Sequence, residues 1–209
     1  MWSEKESSRE KYWLDWLDAK PFTTLFIDGN HENHERLSSF PVEKWHGGNV
    51  HRIRPSVIHL MRGQVFEINE RKFFAFGGAR SHDINFLLSP KDPEFEASKS
   101  ILDKAGIFYR IKGRNWWESE FPTEDERAEG IRNLARTGNK VDFIITHDAP
   151  ASALALYSHG AYKSDKLNEY FEGIRQNTEF SKWFFGHYHD DRCVGIDCAL
   201  LYEQITRIQ

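Results

Sequence analysis

Three short clusters carry the side chains of this sequence that could do chemistry. They are Asn30-His31-Glu32, Thr146-His147-Asp148 and Gly186-His187-Tyr188-His189. His147, His187 and His189 offer imidazole nitrogens, and Asn30 offers a carbonyl oxygen. Nitrogen together with neutral or anionic oxygen suits Zn, Mn or Fe, whereas an all-oxygen shell would suit Mg or Ca. In a His-x-His pair on a turn, the two rings can diverge toward different ions. Taken singly, each imidazole is more often a surface or hydrogen-bonded core residue than a ligand. Three clusters of one style reverse that weighting. His34, His46, His51, His59 and His159 have no such setting and are assigned to structure.

Strands must position these clusters. Residues 22–27, Phe-Thr-Thr-Leu-Phe-Ile, are rich in β-branched and aromatic side chains and read as a buried strand that stops at Asp28-Gly29. The apolar runs 141–145 and 183–185 precede the other two clusters. Polar residues at the carboxyl ends of strands are where open α/β sheets place their ligands.

The remaining elements read as follows. Residues 3–19 form a helix whose stripe of Tyr12, Trp13, Trp16 and Leu17 belongs to the core. A short helix covers residues 32–39. Strands follow at 57–60, 64–68 and 72–76, the last two joined by a tight turn at Asn69-Glu70. Gly77-Gly78-Ala79 ends that hairpin and releases a polar loop, Arg80-Ser81-His82-Asp83. A helix is expected over 94–104, then a loop with bulky aromatics at 114–118. Thr123-Glu-Asp-Glu is a capping box that opens a helix, and Gly138 ends it. Residues 165–176 form a helix, 182–185 a strand, and 192–196 and 200–208 two closing strands. Arg80, His82, Arg114 and Trp117 lie in loops that could face a pocket, where a guanidinium would suit a phosphate.

Bulk properties narrow the class. The 209 residues are 39% hydrophobic, 29% charged and 14% aromatic, values that describe one soluble domain with a dense core. Lys and Arg number 28 against 32 Asp and Glu, for a net charge of −4. That balance argues against broad binding to nucleic acid or anionic membrane. The first twenty residues carry charges throughout, and no later run is long and apolar enough to span a bilayer. Cys193 and Cys198 do not form a Cys-x-x-Cys pair and read as two thiols on a strand hairpin in a reducing cytoplasm.

In order, spacing and strand context, Gly29-Asn30-His31-Glu32, Thr146-His147-Asp148 and Gly186-His187-Tyr188-His189 resemble the calcineurin-like metallophosphoesterase family. The resemblance covers most of the chain and is nearest to small bacterial and phage members, which carry segments similar to Phe76-Gly77-Gly78-Ala79 and Trp116-Trp117. It implies an α/β fold, a two-sheet αββα sandwich with metal ions at the strand ends. It also implies a metal-dependent phosphoester hydrolase with a phosphoester substrate. Carried over residue by residue, Asn30, His147 and His187 would bind one divalent transition metal (Mn, Zn or Fe) and His189 a second. His31 would sit beside the scissile phosphoester as a catalytic residue.

The family also opens with an Asp-x-His strand end followed by a Gly-Asp-x-x-Asp motif, and neither Asp-x-His nor Gly-Asp occurs in this sequence. The resemblance therefore implies a chain missing its first β-α-β unit, with two ions in the family but one or none here. A sheet edge and apolar surface laid bare in this way invite self-association. Three readings stay open at this point: a phosphatase or phosphodiesterase, a non-catalytic metal- or phosphate-binding remnant, and a nuclease or cyclic-nucleotide phosphodiesterase.

Overall fold

The computed structural model describes residues 5–82 and 84–208, so the expected helix start at residues 3–4 and Asp83 lie outside the described residues. The chain is mixed α/β, with two main sheets and flanking helices. The smaller sheet has the order β1 (Thr24–Phe26), β4 (Val57–Leu60), β3 (Gly48–Arg54), β2 (Val42–Trp45). Here β1 runs parallel to β4, and the other pairs are antiparallel. The larger sheet has the order β11 (Arg192–Val194), β12 (Cys198–Leu200), β10 (Lys182–Phe185), β9 (Phe143–Thr146), β6 (Arg71–Phe76), β5 (Gln64–Ile68). Strands β6, β9, β10 and β12 run parallel, with an antiparallel strand on each edge. Short strands β7 (Leu87–Leu88) and β8 (Arg110–Ile111) pair separately.

Alternation along the strands sends side chains to opposite faces and builds separate cores. Val50, Ile58 and Leu60 of the smaller sheet pack against Phe66 and Ala75 of the larger, so the two sheets meet face to face. On the other face of the larger sheet, Phe74, Phe76, Ile144, Trp183 and Phe185 pack against α4 (Glu124–Arg136), α5 (Ala151–Ser158) and α6 (Lys166–Asn177). On the outer face of the smaller sheet, Ile53 and Val57 take Leu14 and Leu17 of α1 (Ser8–Asp18) and Leu37 of α2 (His34–Ser38). This arrangement is compatible with an α/β sandwich.

Several expectations are corrected. Tyr12, Trp13 and Trp16 are not core residues: they are 61%, 50% and 44% exposed. Leu14 and Leu17 share the opposite face of α1 and make its packing contact. Strand β1 is three residues long and half-buried, because it forms the edge of its sheet. The β2–β3 hairpin and α5 were not anticipated, and the second closing strand ends at Leu200, with no strand from there to residue 208. Helix α3 (Phe95–Ala105) and the Thr123–Glu126 capping box of α4 stand as read. Cys193 and Cys198 are free thiols on the β11–β12 hairpin. Among the described residues, no helix is long and apolar enough to cross a membrane.

The sheet-to-sheet contact is tight at Gly48, where an added Cβ would lie 2.4 Å from the ring of fully buried Phe66. Gly48→Ala is expected to destabilise the fold by about 1–3 kcal/mol through overpacking. Chemical denaturation checks this, and an unchanged midpoint would mean that the Phe66 ring has room to yield.

Candidate functional site

Parallel pairing of β6, β9 and β10 brings their carboxyl ends to one rim of the larger sheet. Three loops start there: residues 77–82 after β6, His147-Asp148 after β9, and 186–189 after β10. The end of β1 reaches the same rim from the other sheet and is tied there by the Gly78 N–H, which donates to the Asp28 carbonyl at 2.8 Å. That approach is so close that a Cβ on Gly77 would lie 2.0 Å from Asp28 Oδ1.

Asn30 Oδ1 lies 3.1 Å from His147 Nε2, and the His147 and His187 rings are 5.1 Å apart. Asn30, His147 and His187 therefore converge. His31 is exposed beside them, its Nε2 3.5 Å from Asn30 Nδ2. His189 is near enough to influence both buried imidazoles electrostatically, but it is exposed and stacks on Tyr202 at 4.9 Å. His82 places its ring 5.0 Å from that of His187.

The electrostatics keep the half-buried His147 and His187 rings neutral. Burial lowers the pKa of His147 to about 4, against the pull of Asp28. Burial, with the neighbouring rings of His147 and His82 next in weight, lowers that of His187 to about 3. A neutral imidazole has a lone pair free for a metal. Among the described residues, buried His187 Nε2 has no hydrogen-bond partner, an arrangement that costs free energy unless something else is bound there. His187 and His189 also adopt left-handed backbone conformations, at φ 72° and 51°, a region that non-glycine residues enter infrequently. The donor set of one carboxamide oxygen and two neutral imidazoles fits a borderline transition metal. Among the described residues, no three His, Cys, Asp or Glu side chains group closely enough to hold a metal. A half-site built on His147 and His187 would take Asn30 Oδ1 as its third protein donor.

Behind these residues lies a buried polar network. Asp28 receives Arg62 Nε at 2.9 Å and Nη2 at 2.6 Å on one oxygen, and stands 3.1 Å from His59 Nε2 with the other. Burial alone would raise the Asp28 pKa, but Arg62 and His59 hold it well below the usual carboxylate range. His51 and His59 share a hydrogen bond of 3.1 Å, and His34 Nδ1 lies 3.8 Å from Asp28 Oδ2. On another side, Ser81 and Glu120 bond each other and reach Asn30. Both line a cavity of about 1200 Å³ together with Arg80, Trp117, Lys112 and Phe121. Arg80 instead pairs with Asp165 and lies over Phe121, while Arg114 sits over Phe95 and does not line the cavity.

Comparison with known proteins adds no relative: no family model matches the chain, and no curated protein or solved structure matches it.

Two measurements test the buried network. Arg62→Met would leave Asp28 buried without its cation and should cost about 3–5 kcal/mol of stability in a denaturant titration. A loss under about 1 kcal/mol would mean that the pair is dispensable. The second concerns pH. Burial lowers the pKa of both His34 and His51 to about 4. Below an unfolded value of about 6.5 the unfolded chain binds more protons, so their contribution is complete above that pH and is lost as pH falls toward about 4. The urea midpoint should therefore drop between about pH 7 and pH 5. A midpoint that holds over this range would contradict the burial of these rings as neutral groups.

Proposed function

We propose that this chain is a phosphoester hydrolase of the calcineurin-like metallophosphoesterase type, built on that family's αββα sandwich. In this reading Asn30, His147 and His187 form one metal half-site for Mn, Zn or Fe. The observation that carries it is the convergence of Asn30 Oδ1 and His147 Nε2, 3.1 Å apart, beside a buried His187 Nε2 that has no hydrogen-bond partner among the described residues.

Bound there, a divalent metal would polarise a phosphoryl oxygen and lower the pKa of a water. The chain's own residues do the rest. Asn30 contributes a neutral oxygen, and burial keeps His147 and His187 unprotonated and ready to coordinate. His31, exposed next to Asn30, is placed to meet a substrate and to deliver a proton to the leaving oxygen as the P–O bond breaks. By the same family likeness, His189 belongs to the second ion position.

That second position is incomplete, because no Asp-x-His or Gly-Asp occurs in the chain. Among the described residues, strand β1 pairs with β4 alone and stands at the edge of its sheet. A non-catalytic metal- or phosphate-binding role is the second reading. A nuclease or cyclic-nucleotide phosphodiesterase would use the same residues on a different ester.

Metal analysis should find at most about one Mn or Zn ion per chain, reduced by Asn30→Ala or His187→Ala. Two tightly held ions would sink this assignment. Hydrolysis of bis(p-nitrophenyl) phosphate should be weak and should rise when a segment carrying both absent motifs is added. In that completed protein, His31→Ala should lower turnover by roughly 10²–10⁴-fold with metal content unchanged. Equal turnover with and without His31 would remove its catalytic role.

A further inference from the structure

We infer that Glu120 and Ser81 form a positioning relay that fixes which end of the Asn30 carboxamide faces the metal position. The inference rests on the half-site proposed above. A carboxamide is nearly symmetric in shape, but its oxygen can ligate a cation and its NH2 cannot. Something must therefore choose the orientation.

The choice follows from donors and acceptors taken in turn. The Glu120 carboxylate accepts the Ser81 backbone N–H on Oε1 at 2.8 Å and the Ser81 hydroxyl on Oε2 at 2.7 Å. A carboxylate only accepts, so the single proton of the Ser81 hydroxyl points at Glu120. Ser81 Oγ is then an acceptor toward any third group. That group is Asn30 Nδ2, which donates to it at 2.9 Å. With its NH2 so committed, Asn30 turns Oδ1 toward His147. A flipped amide would set Oδ1 against Ser81 Oγ, two acceptors with no proton between them. Asn30, Ser81 and Glu120 are all buried, so water is poorly placed to repair that mismatch.

Both ends of the relay are anchored to one guanidinium. Arg62 Nη2 donates to the carbonyls of Ser119 and Glu120 at 2.9 and 3.3 Å, and the same nitrogen binds Asp28, two residues before Asn30. Glu120 closes a 3-10 turn, Glu118–Glu120, whose position is thereby tied to the Asp28 turn. Outer groups of this kind orient metal ligands, and their loss typically costs 10–100-fold in metal affinity.

The test is a Co²⁺ titration of the full chain followed by visible absorption, run on the wild type, Asn30→Ala, Ser81→Ala and Glu120→Gln. Glu120→Gln keeps the shape but can set an NH2 donor against Ser81 Oγ, which permits the reversed amide. Ser81→Ala and Glu120→Gln should each weaken Co²⁺ binding by about 10–100-fold. A double-mutant cycle separates orientation from general damage. In Asn30→Asp both side-chain oxygens are acceptors and orientation has no meaning, so adding Ser81→Ala should change affinity by less than about twofold. Wild-type affinity in both Ser81→Ala and Glu120→Gln, with binding lost in Asn30→Ala, would overturn the relay and leave the half-site standing. An equal loss from Ser81→Ala on the wild-type and Asn30→Asp backgrounds would also overturn it, as general damage. Failure of the wild type to bind Co²⁺ would overturn the half-site and the relay together.

Discussion

The candidate site depends on the buried ion pair of Asp28 with Arg62. Asp28 is 2% exposed, and a carboxylate so deeply buried is tolerated only with its cation and hydrogen-bond partners in place. Those partners come from separate parts of the chain: His59 from β4, Arg62 just beyond it, and the Gly78 N–H that meets the Asp28 carbonyl. Satisfying the carboxylate and the backbone carbonyl of this one residue therefore brings the smaller sheet, the end of β6 and, through Arg62, the 119–120 turn to a single point. Asn30 and His31 follow Asp28 after a single glycine and inherit their position from it.

The sequence was most legible where local and tertiary preferences agree. Strands β4, β5 and β10 match the reading to the residue because short apolar runs end at clear turn residues. Asn69 and Glu70 both have positive φ, as a tight hairpin turn requires. Helices α4 and α6 carry capping boxes that stand in the structure. The Val42–Trp45 strand escaped notice because Glu43 and Lys44 dilute its pattern, and its strand character comes from pairing with β3. On α1, the helical stripe of Tyr12, Trp13, Trp16 and Leu17 reads as core from the sequence, but of these only Leu17 packs there, together with Leu14. Burial there is decided by the sheet the helix meets, not by the size of its side chains.

Legibility of the site divides on the same line. Asn30, His147 and His187 could be found because each follows a strand in a short polar cluster. Ser81 and Glu120 could not, since they are 39 residues apart in the chain and Glu120 sits in an undistinguished acidic stretch. The only local hint was the Gly77-Gly78-Ala79 run, which allows the loop after β6 to approach Asp28 closely. Asp28 itself was visible, but as a turn residue. Its charge has a role only once Arg62 is beside it in space.

The charge balance around Asn30, His147 and His187 bears on what such a half-site can hold. All three donors are neutral, so a divalent ion would keep its full formal charge at the first layer. The nearby carboxylates are already engaged. Asp28 is spent on Arg62 and His59. Asp148 is buried, accepts from Tyr188 at 2.5 Å and from the Ala149 N–H at 2.7 Å, and has its pKa pushed up by that burial. Glu120 reaches the site only through Ser81. A first cation could draw on these charges at a distance, through polarised hydrogen bonds. A second cation close by would meet strong repulsion unless an anion lay between the two. On this physics the present set of residues supports one ion far better than two, and a carboxylate placed between the positions is the single addition that would change that balance.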